Sequence, residues 1–153
     1  NMITFQVESF KECLGELVTI LTNHYNEVED NKERVDFNPD YDLYIKYEEL
    51  GILTLLTVRD DFKLIGYYLS MEIPMMNSKH ILHSLEIGFY IVPEYRKSSL
   101  GMKLLKYTES VLSDLGVNRM FASSKVSHPC DSLYQKFGMS LYNTLYVKQI
   151  GET

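Results

Sequence analysis

The stretch that decides the fold is IGFYIVPEYRKSSLGMKLL, residues 87–105. Its first half is an apolar run typical of a strand, and Gly88 inside that run predicts a bulge or a close backbone approach. Its second half is a short basic loop of small residues that leads into a helix, since Leu100, Leu104 and Leu105 recur at helical spacing. The first amides of a helix lack internal partners and carry partial positive charge, so this turn is expected to bind an anion.

The loop itself supports two interpretations. Arg96 and Lys97 add positive charge to a helix start that already attracts phosphate. Alternatively, Ser98 or Ser99 only caps the helix and the two basic side chains are solvated. The residues alone leave both interpretations open.

The patterns on either side of this stretch predict the order β-α-α-β-β-β-α-β-α-β. Strands alternate with helices, which implies an α/β (α+β) fold with a mixed, mostly antiparallel central sheet flanked by helices. The strand-helix-strand unit at 87–126 is expected to be a parallel crossover. The predicted strands are 3–7, 52–58, 63–73, 81–93, 118–126 and 140–150, and the predicted helices begin at Ser9 (a capping box with Glu12), at Asn38-Pro39, at Leu100 and near Pro129.

Length and composition predict one globular domain over residues 2–150, and Asn1 before Met2 is interpreted as a cloning remnant. Of 153 residues, 45% are hydrophobic and 24% charged, the balance of an ordinary folded domain. No apolar run approaches the length of a membrane span, and no secretory signal is recognisable, so a cytoplasmic protein is expected. Two cysteines are too few for a disulfide framework. His80 and His83 point to opposite faces of a strand, so no metal site is expected.

Charge is distributed unevenly along the chain, whose net charge is −6. Residues 26–50 hold nine acidic against three basic side chains, and the remainder is balanced. Residues 94–106 form a small basic island with a net charge of +3. This balance argues against non-specific binding of nucleic acid or of an anionic membrane.

The segment VPEYRKSSLGMKLL, residues 92–105, resembles the acyl-CoA signature of the GNAT superfamily of N-acyltransferases. In that signature an Arg or Gln is followed by two variable residues, Gly, one variable residue, and Gly or Ala. Arg96 fills the first position and Gly101 the last, whereas Ser99 stands where the family has its first glycine. The departure bears on phosphate binding, because a Cβ at this position can crowd the pyrophosphate or require a strained φ.

A second match lies in SHPCDSLYQKFGM, residues 127–139, which resembles the family pattern Asn-x-x-Ala-x-x-Leu-Tyr-x-Lys-x-Gly-Phe. Tyr134 and Gly138 match, while Ser127 replaces the asparagine and Cys130 the alanine. The two motifs start 31 residues apart, at Arg96 and Ser127, in the family's order. The order of strands and helices is also similar, so the resemblance extends over essentially the whole chain.

The resemblance implies a single-domain N-acetyltransferase that takes acetyl-CoA as cosubstrate and transfers the acetyl group directly to an amine. Backbone groups of Ile91 and Val92 are expected to meet the pantetheine arm. The residues expected to hold the remainder of the cosubstrate, the pyrophosphate above all, are Arg96, Lys97, Ser98, Ser99, Gly101, Met102 and Ser127.

The resemblance also suggests catalytic roles. An amine such as lysine has a pKa of about 10.4, so neutralising it at pH 7 costs about 4.6 kcal/mol and favours a general base. Glu86 lies where some family members carry a catalytic glutamate, with Glu72 or a water as alternatives. Tyr134 matches the tyrosine that protonates the thiolate leaving group in many members.

The acceptor is expected to be an amine-bearing small molecule or peptide, and a cationic one, because the excess acid is confined to residues 26–50. Solubility alone is the alternative reason for this acid. Two other functions stay open: a non-catalytic CoA-binding or protein-interaction module, and a structural component of a larger assembly. The oligomeric state is expected to be a monomer or a homodimer.

Overall fold

A computed structural model of the chain describes residues 2–30 and 36–151. Its five strands form one sheet in the order β1-β2-β3-β4-β5, antiparallel except for the parallel pair β4 and β5. The mixed, mostly antiparallel sheet and the parallel unit across 87–126 are therefore confirmed. The elements are β1 (Ile3–Glu8), α1 (Phe10–Val28), α2 (Tyr41–Glu49), β2 (Leu53–Asp60), β3 (Lys63–Pro74), β4 (Leu82–Ile91), a 3-10 turn (Pro93–Tyr95), α3 (Leu100–Asp114), β5 (Arg119–Phe121) and α4 (Asp131–Phe137).

The helices bury both faces of the sheet. On one face α1 and α2 pack on the central strands, and the buried cluster there includes Phe10, Leu17 and Tyr67. On the other face α3 and α4 pack on the same strands, and the cluster there includes Leu104 and Tyr68. Within the part of the chain that the structure describes, no helix is both long and apolar enough to cross a bilayer.

The starts of the first two helices show which capping signals the chain uses. Ser9 caps α1 as predicted, its hydroxyl accepting a hydrogen bond from the Glu12 amide at 3.3 Å. Glu48 of α2 accepts the Phe10 amide at 2.7 Å and so joins the two helices. The predicted start of α2 at Asn38 is wrong, because Asp40 caps the helix through the Leu43 amide at 3.1 Å.

Two strand predictions need correction. The strand expected at 118–126 is limited to β5, three residues long, because the chain leaves β4 after Phe121. The strand expected at 140–150 is not formed within this chain, and Leu141, Leu145 and Ile150 are each 91% exposed. A strand exists only where a neighbouring strand takes its backbone hydrogen bonds, and no strand among residues 2–30 and 36–151 does so here.

Arg59 of β2 ties the first strand and the first helix to the sheet. Its guanidinium is bidentate to Glu8, with Nε to Oε2 at 2.8 Å and Nη2 to Oε1 at 3.0 Å. It also donates to Glu16 of α1 at 2.8 Å, and only a tenth of its side chain is exposed. Burial opposes ionisation of Glu8, but the hydrogen bonds from Arg59 and Thr57 together hold the pKa of Glu8 below its usual value.

We therefore expect Glu8→Gln to lower the free energy of unfolding by about 1 to 3 kcal/mol, because it leaves part of a buried guanidinium without its partner. Since folding depresses the pKa of Glu8, this contribution is present at neutral pH and is lost as pH falls below about 4.5. Urea unfolding at pH 7 and pH 3.5 measures both effects. Glu109→Gln, on the exposed side of α3, is the matched control. Equal stabilities at pH 7 would contradict the prediction.

Candidate active site

A bulge in β4 opens the sheet. Leu69 pairs with Gly88 and Ser70 with Glu86, which leaves Ile87 as an extra residue on β4. The bulge predicted at Gly88 is thus confirmed. β5 pairs with β4 only at 83–85, so the two strands separate beyond that point. We call the resulting gap the β4–β5 cleft; it is bordered by residues 86–91 on one side and 122–124 on the other.

Glu86 and Tyr134 meet at the backbone of one residue in this cleft. The Ser123 amide donates to Glu86 Oε1 at 3.1 Å, and the Tyr134 hydroxyl donates to the Ser123 carbonyl at 3.0 Å. The two side chains come from β4 and α4, which are separated by 39 residues of the chain. Their association depends on the bulge, which turns Glu86 toward the α3 and α4 face.

Burial sets the protonation of both side chains. It raises the pKa of Glu86, and the Ser123 amide opposes this only in part. It also raises the pKa of Tyr134 well above 10, and the nearby Glu86 carboxylate adds to the effect. At neutral pH Tyr134 therefore carries its proton, and Glu86 is a better proton acceptor than an exposed carboxylate.

Tyr68 is a part of this site that the sequence did not indicate. Its hydroxyl is buried and has no hydrogen-bond partner among the described residues, and burial and then Glu86 raise its pKa far above 10. The pair Tyr67-Tyr68 in a strand predicts one ring on each face of the sheet, but nothing in the pattern distinguishes either from a core residue. Cys130 lies beside Tyr134, and burial raises the pKa of its thiol, which disfavours a thiolate nucleophile.

Glu72, the alternative base, has a different environment. It is 7% exposed, and its Oε2 accepts hydrogen bonds from the hydroxyls of Ser70 at 2.9 Å and Ser84 at 2.8 Å. Thr54 donates to its other oxygen. Both oxygens of this carboxylate accept hydroxyl hydrogen bonds within the sheet, whereas Glu86 Oε2 has no partner among the described residues.

The start of α3 presents free backbone donors. The amides of Lys97, Ser99, Gly101 and Met102 have no hydrogen-bond partner in residues 2–30 and 36–151. Ser98 turns the loop, since its hydroxyl donates to the Tyr95 carbonyl and accepts from the Leu100 amide at 3.3 Å. Donors grouped in this way are what a phosphate requires.

Ser99 and Gly101 occupy the two glycine positions of the family signature in different ways. Ser99 has a φ of −82°, in the ordinary right-handed region, so a side chain causes no backbone strain there. It makes no side-chain cap, so the alternative in which it only caps the helix is not supported. A Cβ on Gly101 would lie 3.3 Å from Leu133 Cδ2, so glycine at this position allows α3 and α4 to pack closely.

Arg96 does not face the free amides of the loop. Its Nε donates to the Ile91 carbonyl at 2.7 Å, its Nη2 donates to Glu27 Oε2 at 2.8 Å, and its guanidinium lies over the Tyr90 ring. The Ile91 carbonyl is therefore already occupied, and the Val92 amide donates to Ile65 at 2.9 Å. These contacts connect the loop to the last turns of α1.

Ser127 is also bound within the chain. Its hydroxyl donates to the Asp30 carboxylate, with distances of 2.8 and 2.9 Å to the two oxygens. Lys125 donates to the Val28 carbonyl at 3.0 Å. The loop between β5 and α4 is thereby fastened to the end of α1, and Ser127 has no free side-chain donor for a cosubstrate.

An aromatic cavity lies behind β4, on the α1 and α2 face of the sheet. It has a volume of about 160 Å³ and lies between α1, residues 37–39, α2 and β3. Tyr67 forms its inner wall and packs against Gly88 of the bulged strand. The lining residues are Leu21, His24, Tyr25, Val28, Phe37, Pro39, Tyr44 and Tyr67.

His24 is a second residue that the sequence did not single out. Its Nδ1 lies 2.5 Å from the Tyr67 hydroxyl, and its ring stacks on Tyr90 at 4.7 Å. Burial lowers the pKa of His24 to about 4, so the ring is neutral at pH 7. Nδ1 then accepts from Tyr67, which leaves the proton on Nε2.

Comparison with known proteins decides the family. The model of the acetyltransferase (GNAT) family matches residues 18–139, which include the bulged strand, the α3 loop and Tyr134. The chain belongs to the GNAT acetyltransferase family. No curated protein sequence matches the chain.

Solved structures of GNAT acetyltransferases share the fold at low sequence identity. An aminoglycoside acetyltransferase from an uncultured soil metagenomic sample is 12% identical with a TM-score of 0.80, and the match covers 99% of this chain and 100% of that protein. Glucosamine-6-phosphate N-acetyltransferase from Arabidopsis thaliana is 12% identical with a TM-score of 0.75, and the match covers 98% of this chain and 99% of that protein. A predicted acetyltransferase with acetyl-CoA from Clostridium acetobutylicum is 13% identical with a TM-score of 0.75, and the match covers 97% of this chain and 96% of that protein. The expected GNAT fold is confirmed.

The bulge makes a specific prediction for this GNAT protein. We expect Gly88→Ala to lower the free energy of unfolding by about 1 to 3 kcal/mol, because the added Cβ would lie 2.9 Å from Tyr67 Cε2 in a ring that is 2% exposed. Gly15→Ala is the matched control: a Cβ added there meets nothing within 4 Å beyond the backbone of its own helix, so this variant should gain about 0.5 to 1 kcal/mol. Chemical denaturation measures both variants, and a Gly88→Ala protein as stable as the parent would refute the close approach.

Proposed function

We propose that this GNAT protein is an N-acetyltransferase that transfers the acetyl group of acetyl-CoA directly to a primary amine. The observation that carries the proposal is the pair of Glu86 and Tyr134, joined through Ser123 at the β4–β5 cleft. A proton acceptor and a proton donor are the two groups that aminolysis of a thioester requires. Both lie beside a helix start with free amides.

The donor side of the cleft supports binding of acetyl-CoA. Four free amides at the start of α3 fit a pyrophosphate, and Lys97 adds positive charge to the same loop. The separated strands leave backbone groups of β4 accessible for an extended, amide-containing chain such as pantetheine. Ser99 supports the proposal as well, because its ordinary φ removes the strain that a non-glycine residue there could have imposed. A protein with the same fold is described with acetyl-CoA.

We expect acetyl-CoA at 100 times its dissociation constant to stabilise the protein by about 2.7 kcal/mol, visible as a rise in melting temperature. Arg96→Ala should reduce the rise, because it removes charge and frees the loop from Ile91 and Glu27. Lys11→Ala, exposed on α1 and remote from the loop, should leave the rise unchanged. No rise at millimolar acetyl-CoA would reject the cosubstrate and favour a structural role for the fold.

The chemistry follows from the positions of the two side chains. Glu86 Oε2 has no partner among the described residues and accepts a proton from the ammonium form of the acceptor. The neutral amine nitrogen attacks the thioester carbonyl carbon, a C–N bond forms and the C–S bond breaks. Tyr134 gives its hydroxyl proton to the leaving thiolate and is reprotonated by the second proton that the amine loses. The first proton passes from Glu86 to solvent, so both side chains return to their starting states.

Substitutions at these two positions test the roles separately. Tyr134→Phe should retain acetyl-CoA affinity and lower turnover by about 100-fold to 10,000-fold, because the ring still packs while the acid is lost. Glu86→Gln should lower turnover at pH 7, with the defect shrinking as pH rises toward the pKa of the amine itself. Steady-state kinetics from pH 6 to about 10, together with a thermal-shift titration of acetyl-CoA, measure both. Unchanged turnover in Tyr134→Phe would assign this tyrosine to packing alone.

The aromatic cavity supports a cationic amine as acceptor. Rings of Tyr25, Phe37, Tyr44 and Tyr67 attract an ammonium group through their faces. Burial raises the pKa of Tyr25, and the nearby carboxylates of Glu29 and Asp36 raise it further. These two carboxylates make the entrance of the cavity acidic. Residues 31–35, which include Glu33 of the acidic segment, lie outside the described residues. Two proteins that share the fold are described as acetyltransferases of an aminoglycoside and of glucosamine-6-phosphate, both amine-bearing.

Several acidic side chains of residues 26–50 have structural partners and are unsuitable for testing electrostatic steering. Glu27 pairs with Arg96, Asp30 with Ser127, Asp40 with the start of α2 and Glu48 with the start of α1. Asp36 and Asp42 have no such partner among the described residues. The test of steering therefore uses these two positions.

We expect the double variant Asp36→Asn, Asp42→Asn to raise the apparent KM for a cationic acceptor such as a polyamine, because it removes negative charge that steers a cation to the cavity. Added salt should raise the apparent KM of the parent protein in the same way, because surface charges are screened beyond about 8 Å at physiological ionic strength. Acetyl-CoA binding should not change. Asp114→Asn, exposed at the end of α3, removes an equivalent charge far from the cavity and should have no effect. Kinetics that ignore both salt and these substitutions would leave the acidic segment as a solvated surface.

A further inference from the structure

A buried hydroxyl on β3 has no role in the mechanism described above. The Tyr68 side chain is 0% exposed, and its hydroxyl has no hydrogen-bond partner among the described residues. A phenol that gives up its hydrogen bonds to water on folding lowers the stability of the fold unless another group replaces them. Such a hydroxyl is typical of a place where the folded protein binds a ligand or an ordered water.

The register of the sheet places Tyr68 beside Glu86. Tyr68 pairs with Phe89, and Ser70, two residues further along β3, pairs with Glu86. Side chains two residues apart on one strand share a face, so Tyr68 and Glu86 are diagonal neighbours on the α3 and α4 face of the sheet. The Cα atoms of diagonal neighbours are about 7 to 8 Å apart, a separation that an aromatic and a long side chain can span. The effect of Glu86 on the pKa of Tyr68, which it raises, agrees with this placement.

Glu72, the other carboxylate that raises the pKa of Tyr68, already has its hydrogen bonds. It lies four residues further along β3 on the same face. Its two oxygens accept hydrogen bonds from the hydroxyls of Thr54, Ser70 and Ser84. Glu86 Oε1 accepts the Ser123 amide at 3.1 Å, whereas no described residue bonds Oε2. A buried donor and a carboxylate acceptor, both without partners in the described part of the chain, are therefore neighbours in the sheet.

The titratable side chains that Glu86 influences are neutral at pH 7. Tyr67 and Tyr68 belong to β3, Tyr134 to α4, and Cys130 caps the start of α4; the pKa of each is raised. Because these four groups carry no charge, their effect on the ionisation of Glu86 is made through burial and hydrogen bonds. A hydroxyl that donates toward the carboxylate favours its ionised form, which is the form that accepts a proton.

We propose that Tyr68 is a positioning residue for Glu86, and that its hydroxyl and Glu86 Oε2 bind one water between them. This role of Tyr68 rests on the proposed role of Glu86 as the base. The water oxygen accepts hydrogen bonds from Tyr68 and from the ammonium group of the acceptor, and one water hydrogen points to Oε2. As the ammonium proton moves to the water, a water proton moves to Oε2, so one proton is transferred in total. Tyr68 keeps its own proton, because burial holds its pKa well above that of an ordinary phenol.

The ionisation of Glu86 tests this arrangement without any acetyl transfer. In protein with isotope-labelled glutamate carboxyl carbons, the NMR signal that is lost in Glu86→Gln identifies Glu86, and its pH titration gives the pKa. Tyr68→Phe keeps the buried ring and removes only the hydroxyl, and it should raise the pKa of Glu86 by about one unit, because the ionised form loses a donor. Tyr107→Phe is the matched control: it removes the same atom from a ring of α3 that packs on Phe5, and should leave this pKa unchanged.

Acetyl transfer tests whether the same hydroxyl serves the reaction. Tyr68→Phe should lower kcat/KM for the amine about tenfold relative to the parent at pH values below the pKa of Glu86, and the loss should shrink at higher pH, where both proteins have Glu86 ionised. The affinity for acetyl-CoA should equal that of the parent. The double variant Tyr68→Phe, Glu86→Gln should be no slower than Glu86→Gln alone, because Tyr68 acts through Glu86. Circular dichroism verifies that each variant is folded.

Three results would overturn this role of Tyr68. An unchanged pKa of Glu86 in Tyr68→Phe would show that no water joins the two groups. A loss of kcat/KM that is equal at every pH would assign the hydroxyl to packing. Losses that add in the double variant would show that Tyr68 acts independently of Glu86. A parent protein that transfers no acetyl group would instead reject the proposed function, and the pKa of Glu86 would still decide whether Tyr68 and Glu86 share a water.

Discussion

The extra residue in β4, Ile87, is the constraint from which the arrangement of the site follows. Without this extra residue, β4 would keep a regular register and could continue to pair with β5, and the sheet would be closed where the candidate site now lies. With one residue added, β4 bends, β5 ends after three residues, and the backbone near Ser123 is free to meet side chains. The cleft is therefore a property of strand register, and the side chains around it are placed by that register.

The buried polar groups that the structure describes differ in how completely they are hydrogen-bonded. Arg59 and Glu72 each have several partners, so these two side chains stabilise the sheet and are not available to a ligand. Around the cleft the satisfaction is incomplete: the Tyr68 hydroxyl is buried without a partner among the described residues, and no described residue bonds Glu86 Oε2. Asp60 Oδ1, in β2, is the other buried side-chain oxygen without a partner in the described part of the chain. Buried polar groups without hydrogen-bond partners lower the stability of a fold and are typical of ligand-binding sites.

Sequence patterns predicted the parts of this structure that depend on local chemistry. Helical spacing in residues 100–112, the cap at Ser9 and the glycine within β4 each correspond to what the structure contains. The patterns could not predict that Arg96 would pair with Glu27 or Ser127 with Asp30, since these contacts join residues 69 and 97 positions apart. They also could not show that residues 140–150 form no strand with the described part of the chain, because a strand pattern does not specify which strand it pairs with.

The last turn of α1 and the residue pair that follows it hold both loops that border the cleft. Glu27 holds the loop before α3 through Arg96, and Asp30 holds the loop before α4 through Ser127. The two contacts lie three positions apart along the chain, so the position of the end of α1 fixes both loops at once. The two loops that border the cleft thus share one anchor, and a movement of this helix end is transmitted to the start of α3 and to the start of α4 together.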